Sequence, residues 1–353
     1  MDPVSREAPI HERSEIRDRH GRTLRSLRLS VIDRCDLRCS YCMPEETYTW
    51  LPASDILEFA EIAGVAAAFL EVGVDRMRLT GGEPLLRAGL PELVQMLTAD
   101  PRLADLAMTT NGTQLERWAE PLRQAGLHRV TVSLDTLRPD RFRTLTRRDA
   151  LSRVLAGIDA AAAAGYAALK LNTVVVRGFN DDELVPLLEY GRRVNAEVRF
   201  IEYMDVGGAT RWSTTRVVPR AEILDLLAAH YGPVVPEEEP GATAPADRYR
   251  LPDGTRFGIV SSVTEPFCRS CDRSRLTADG RWYLCLYAGE GIDLRAAWRK
   301  GGAEAVLDLI RPAWQQRTDR AAEERSRDPH RGVLFPVEAL KLDPHREMHT
   351  RGG

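Results

Sequence analysis

The 353-residue sequence predicts an α/β fold: an incomplete (β/α)6 barrel over residues 23–205, then a smaller α+β region over residues 206–340. Three observations predict it. Six strand-like segments alternate with six helix-like ones, the pattern of a parallel sheet with right-handed crossovers. Six units are two short of a closed eight-stranded barrel. The chemically distinctive residues fall at the C-terminal ends of the strand segments, where barrel-like α/β folds build their sites. Composition then changes near residue 205, from strand–helix alternation to short strands separated by Gly, Pro and Asp turns.

The elements follow in order. Residues 1–22 are polar and charge-dense, and are expected to be loosely held. Residues 27–32 alternate as a first strand. Residues 54–70 read helical with Ser54 as N-cap and Glu58 and Glu61 on the polar side. Residues 74–80 form a second strand, ending in Gly81-Gly82-Glu83-Pro84. A helix over 90–97 leads to a strand over 106–110, stopped by Asn111-Gly112. A helix over 114–124 precedes a strand over 129–134, and helices are expected over 139–145 and 151–164. A strand over 169–176, a helix over 181–192 and a strand over 197–201 complete the six units. Beyond them, residues 220–229 read helical, and 232–247 read as an exposed Pro/Glu-rich loop. Short strands are expected over 249–251, 257–261 and 282–286, and helices over 294–298 and 303–313. Residues 317–331 are charge-dense and expected to be solvated. Residues 341–353 form a tail ending in Gly352-Gly353.

Composition bounds the function. A net charge of −3 gives no electrostatic footprint for nucleic acid or membrane. Residues 1–21 lack the apolar stretch of a secretory signal, and no apolar run is long enough to span a bilayer. The expectation is a cytoplasmic protein with reduced thiols. The six cysteines fall into two groups of three, Cys35/Cys39/Cys42 and Cys268/Cys271/Cys285. The first reads C-x3-C-x2-C directly after the first strand. Three thiolates can hold three irons of a [4Fe–4S] cluster and leave the fourth open. A zinc site usually takes four ligands, and no His lies near enough to complete either group. The second group reads C-x2-C-x13-C and fits a second cluster with an open iron. Arg273-Ser274-Arg275 follows it and places cations beside that iron.

Lysine is rare, occurring at 170, 300 and 341. Lys170 sits in an otherwise apolar strand whose two faces should both be covered, so it is expected to face the barrel interior. Arg28 and Arg78 hold comparable places in strands one and two. Three interior cations suggest a polyphosphate site, without a P-loop. Gly81-Gly82 lets backbone approach closely, and Glu83 offers an acceptor for an ammonium group. Ser133 and Met204 end strands four and six.

The first cysteine group, with Tyr41 before its last Cys, resembles the signature of the radical-SAM superfamily. Together with the second cysteine group, the Arg-Ser-Arg run and the terminal Gly-Gly, the chain resembles the GTP 3′,8-cyclases, the radical-SAM lyases that open molybdenum cofactor (molybdopterin) biosynthesis. The resemblance implies a radical-SAM partial barrel with two [4Fe–4S] clusters and S-adenosyl-L-methionine. Cys35, Cys39 and Cys42 would hold the first cluster, and Cys268, Cys271 and Cys285 the auxiliary one. Tyr41, Gly82, Glu83, Ser133 and Met204 would contact S-adenosylmethionine. Arg28, Arg78, Thr109, Lys170, Arg273, Ser274 and Arg275 would contact GTP. Arg351, Gly352 and Gly353 would enter the active site. Hydrogen abstraction at C3′ and attack on C8 would give 3′,8-cyclo-7,8-dihydro-GTP for a separate cyclic pyranopterin monophosphate synthase. An electron donor is implied as a partner, and a homodimer is compatible with the chain. The competing expectations are a radical-SAM enzyme that modifies peptides and a zinc-binding nucleic-acid module.

Overall fold

A computed structural model of the protein describes residues 15–237 and 243–352. Six strands follow one another: β1 (Ser26–Ser30), β2 (Arg76–Thr80), β3 (Asp105–Thr110), β4 (Arg129–Ser133), β5 (Ala168–Val175) and β6 (Glu197–Glu202). Each pairs in parallel with the next. The crossovers are α1 (Phe59–Glu71), α2 (Leu90–Thr98), α3 (Leu115–Gln124), α4 (Pro139–Thr146) with α5 (Leu151–Ala163), and α6 (Leu184–Arg193). The strands sort their side chains with the period-two rule. Leu27, Leu29, Met77, Leu79, Leu169 and Leu171 are buried in the main apolar core. Arg28, Arg78 and Lys170, between them, turn into the barrel interior.

The later strands add to both edges of this sheet. β7 (Val235–Glu237), β8 (Asp247–Arg250) and β9 (Arg256–Val260) continue it beyond β6, and β10 (Arg273–Leu276), β11 (Arg281–Tyr283) and β12 (Ile292–Asp293) continue it beyond β1. β9 runs parallel to β6 and β10 parallel to β1, while the outer pairs are antiparallel. Among the described residues twelve strands thus form one sheet, in the order β12-β11-β10-β1-β2-β3-β4-β5-β6-β9-β8-β7. The remaining helices are α7 (Arg220–Tyr231), α8 (Leu294–Gln315), α9 (Ala321–Ser326), α10 (Val337–Leu342) and α11 (Met348–Arg351). No helix among the described residues is long and apolar enough to cross a membrane.

Several expectations are corrected. The helix expected from Ser54 begins at Phe59, because Glu58 and Glu61 cap it reciprocally. The two helices expected over 294–313 are joined in α8 across a kink at Gly301 and Gly302. The strand expected over 282–286 ends at Tyr283. The loop over 232–247 carries β7, and its residues 238–242 lie outside the described residues. Residues 15–22 are tied down rather than loose: buried Asp18 and Arg22 pair at 2.5 Å, and Arg22 Nη1 donates to Cys268 O at 2.9 Å. Residues 1–14 lie outside the described residues. The segment 317–331 is not wholly solvated either, since Arg317 and Arg331 are engaged in buried ion pairs.

Helix α5 crosses α3 at Gly157, where an added Cβ would lie 2.5 Å from Gly112 O and 3.0 Å from Leu115 Cβ. Both neighbours are too constrained to yield cheaply. Gly157→Ala should therefore destabilise the protein by about 1–3 kcal/mol, the usual cost of overpacking. Thermal or denaturant unfolding at wild-type midpoints would contradict this close crossing.

Candidate active site

The C-terminal strand ends open into one cavity of about 480 Å³. All six cysteines line it, and all six are free thiols. The first group is held by its neighbours. Arg38 Nη1 donates to Cys35 O and Leu37 O, each at 2.8 Å. Asn111 and Thr113, after β3, donate to the two carboxylate oxygens of Asp36, each at 2.7 Å. The Gly81-Gly82-Glu83 turn lies along the approach to this loop. Gly82 N donates to Ile32 O at 2.7 Å, and Glu83 N to Arg34 O at 2.8 Å. A Cβ on Gly82 would lie 2.3 Å from Arg34 O, so glycine is required there for chain-to-chain approach.

The second group reaches the same cavity because β10 pairs with β1. Register places Arg28 between Arg78 and Arg275 on three adjacent parallel strands. Burial, then the neighbouring Arg275 and Arg78 charges, holds the Arg28 guanidinium well below its ordinary value. Arg78 donates to Thr109 Oγ1 at 3.2 Å and Thr131 Oγ1 at 3.1 Å. Burial followed by Arg199 brings Lys170 down to about 8, although Glu197 lies 3.5 Å away. A guanidinium keeps its proton in a protein, so the arginine row carries its repulsion as an unfavourable term. A polyanion in the cavity would relieve it.

The donor set fits iron–sulfur clusters. Burial raises the thiols of Cys39 and Cys42 and pushes Cys35 and Cys285 up to about 12. Thiolates there need a bound cation to be stable. Cys271 differs: burial raises it, but the Arg273 and Arg317 charges outweigh burial and hold it below the ordinary value. No trio of His, Cys, Asp or Glu among the described residues converges closely enough to hold one metal ion. A four-iron cube is wider than one ion and takes thiolates set further apart.

Tyr41, Gly82, Ser133 and Met204 line this cavity, as do Arg28, Arg78, Thr109, Lys170, Arg273, Ser274 and Arg275. Tyr41 donates to buried Asp135 at 2.8 Å, and Val174 N donates to the other Asp135 oxygen at 2.8 Å. Two expected residues point elsewhere. Glu83 is wholly buried, and accepts from Thr110 Oγ1 at 2.6 Å, Asn111 N at 2.7 Å and Leu85 N at 3.0 Å. These bonds brace the turn, and Glu83 is not among the residues that line the cavity. Arg351 also turns away from the cavity. Its guanidinium donates to Leu286 O at 2.9 Å and Ala288 O at 2.7 Å, and stacks 4.4 Å over Tyr283. It anchors the tail on the Cys285 loop.

Gly352 does reach the barrel mouth. Its φ is +71°, and a Cβ there would lie 2.0 Å from Thr80 Oγ1. Arg275 donates to Gly352 O, and to Arg351 O at 3.3 Å. Gly353 lies outside the described residues. Sequence reasoning missed Arg76, Arg129, Arg199 and Arg248, which also line the cavity, as do Thr243, Ala244 and Pro245 of the loop read as exposed. The strand alternation that flagged Arg28 also marks Arg76 and Arg199.

Residues 29–191 match the radical SAM superfamily model, and residues 196–323 match the model described as Molybdenum Cofactor Synthesis C. A crystal structure of Streptococcus suis SuiB bound to S-adenosylmethionine has the same fold, with a TM-score of 0.58 at 14% identity, covering 83% of this chain and 69% of that one. The chain is 54% identical over 357 aligned residues to GTP 3′,8-cyclase 3 of Mycobacterium bovis, covering 99% of this chain and 94% of the relative. It is 50% identical over 326 residues to GTP 3′,8-cyclase of Acidothermus cellulolyticus, covering 89% of each. Identity at that level along nearly the whole length shows that this chain belongs to the GTP 3′,8-cyclase family of the radical SAM superfamily.

Proposed function

We propose that the protein converts GTP to (8S)-3′,8-cyclo-7,8-dihydroguanosine 5′-triphosphate, the first step of molybdenum cofactor biosynthesis, with S-adenosylmethionine and two [4Fe–4S] clusters. The observation that carries the reading is the single cavity bounded by two thiol groups and a row of arginines. Cys35, Cys39 and Cys42 would hold one cluster, and Cys268, Cys271 and Cys285 the other. When bound, these cofactors supply one-electron chemistry that yields a carbon radical able to take hydrogen from C3′ of the ribose.

The chain's own residues supply binding and orientation. Arg28, Arg78 and Lys170 bind the triphosphate, their mutual repulsion turned into affinity by the ligand's charge. Thr109 holds the Arg78 guanidinium in place. Arg273, Ser274 and Arg275 orient the purine at the Cys271 side. Tyr41, Ser133, Met204 and the Gly82 backbone bind S-adenosylmethionine at the Cys35 side. Gly352 packs at the mouth beside Thr80, and the tail excludes water from the ribose. The reading entails an external electron donor, a cytoplasmic setting and a downstream cyclic pyranopterin monophosphate synthase. A homodimer is compatible with it.

The test is anaerobic incubation of the reconstituted protein with GTP, S-adenosylmethionine and a reductant. Cyclised product is expected. Cys39→Ala should abolish cleavage of S-adenosylmethionine, while Cys271→Ala should keep some cleavage without cyclisation. Wild-type cleavage by Cys39→Ala would sink the assignment of the two groups.

Lys170 gives a second prediction. Its pKa near 8 should rise beside a triphosphate, so GTP binding near pH 8 should take up protons. Above that range the amine is neutral and GTP affinity should fall. Lys170→Met should abolish the proton uptake, measured by calorimetry in buffers of different ionisation enthalpy. It should also weaken GTP binding roughly ten- to hundredfold and leave S-adenosylmethionine binding intact. Unchanged GTP affinity would make Lys170 a packing residue only.

The tail gives a third. Deleting Gly352 and Gly353 should impair cyclisation while iron content, GTP binding and thermal stability survive. Full cyclisation by the shortened chain would remove the tail from the active site.

A further inference from the structure

The segment that leaves β6 touches both cysteine groups and the tail. A Cβ on Gly208 would lie 2.0 Å from Cys42 O, and one on Gly207 would lie 2.5 Å from Met348 N. Between this close packing and cavity-lining Met204 sits Asp205, whose side chain is fully buried. Its carboxylate is saturated from the other half of the chain. Arg331 donates to both oxygens, at 2.7 and 2.9 Å, Arg325 Nε donates at 2.6 Å, and Tyr287 Oη donates at 3.0 Å.

These partners belong to the second cysteine group. Tyr287 lies two residues beyond Cys285 and itself lines the cavity. Arg325 sits on α9, which packs against the turn Cys268–Ser270. One carboxylate therefore joins the strand end beside Cys42 to the loops of Cys268 and Cys285. A buried charge with this many partners is costly to displace and fixes geometry tightly. Neither cysteine group needs Asp205 as a ligand, so its partners define its role.

We propose that Asp205 is a positioning residue that holds the two cysteine groups in register across the cavity, so that a nucleotide held at one end presents its ribose to the other. The role rests on the functional reading above. Misplacing Asp205 leaves each cysteine loop intact but shifts one relative to the other. The consequence is selective: the first group keeps its own chemistry, and the response of the second group to nucleotide is lost.

The test uses the anaerobically reconstituted full-length protein and two variants. Tyr287→Phe removes one hydroxyl and keeps the ring, and Asp205→Asn removes the charge. Two quantities are read: cleavage of S-adenosylmethionine without GTP, and the electron paramagnetic resonance spectrum of the reduced second cluster as GTP is added. The expected result is cleavage within about twofold of wild type. The GTP concentration needed to change the spectrum should rise roughly tenfold in Tyr287→Phe, the size expected for one displaced hydrogen bond to a charged group. Asp205→Asn should give a larger rise. If Asp205→Asn fails to fold, Tyr287→Phe decides alone. A wild-type spectral response in Tyr287→Phe, or a loss of cleavage matching the loss of response, would overturn the positioning role. A wild-type protein whose second cluster ignores GTP would overturn the functional reading itself, and this role with it.

Discussion

Parallel pairing of β10 with β1 is the constraint on which the site depends. Without it, the strand following Cys268 and Cys271 would lie apart from the barrel, and the two thiol groups would face different surroundings. With it, Arg275 becomes the lateral neighbour of Arg28, and the second cysteine group closes over the mouth that the first already borders. A parallel pair needs a long crossover, and here almost the entire barrel is that crossover. The arrangement is long-range by construction, and the rest of the C-terminal region is shaped to hold it. Arg22 bonds the Cys268 loop from the N-terminal side, Arg317 Nη1 donates to Cys271 O at 3.1 Å, and Arg351 clasps the loop after Cys285.

The barrel's inner face is cationic, and its outer face is apolar. That division follows from alternation along each strand, with leucines toward the helices and arginine or lysine toward the cavity. Burial first, and the neighbouring cations second, hold Arg28 and Lys170 below their ordinary values, so an empty bowl is electrostatically unfavourable. The same clustering gives a polyphosphate its affinity, because the ligand supplies the missing counter-charge. Acids beside the bowl are already committed: Asp105 pairs with Arg129, Asp272 with Arg76, and Glu197 with Arg199. Among the described residues, Arg28 and Arg78 pair with no carboxylate, and both line the cavity.

Much of this was legible in the sequence where local pattern decides the outcome. Six strand–helix units, the two cysteine groups and the inward cations follow from period and spacing alone. The sequence was mute where a distant partner decides. Four residues, Arg273 to Leu276, carry too short a pattern to announce β10, whose place is set by β1 some 250 residues earlier. Residues 317–331 look like a solvated charge run, yet the Arg331 side chain is covered because it pairs with buried Asp205. The resemblance implies ligand contacts for Glu83 and Arg351. Local backbone donors claim the first and backbone carbonyls claim the second.

The central claim is that one cavity brings the ribose of a bound nucleotide to the chemistry at Cys35, Cys39 and Cys42. The most direct test is the fate of the 3′ hydrogen. With GTP deuterated at C3′, S-adenosylmethionine and a reductant, the 5′-deoxyadenosine formed should carry deuterium from the nucleotide. Unlabelled 5′-deoxyadenosine alongside cyclised product would show that the ribose does not face that end of the cavity, and would contradict the account.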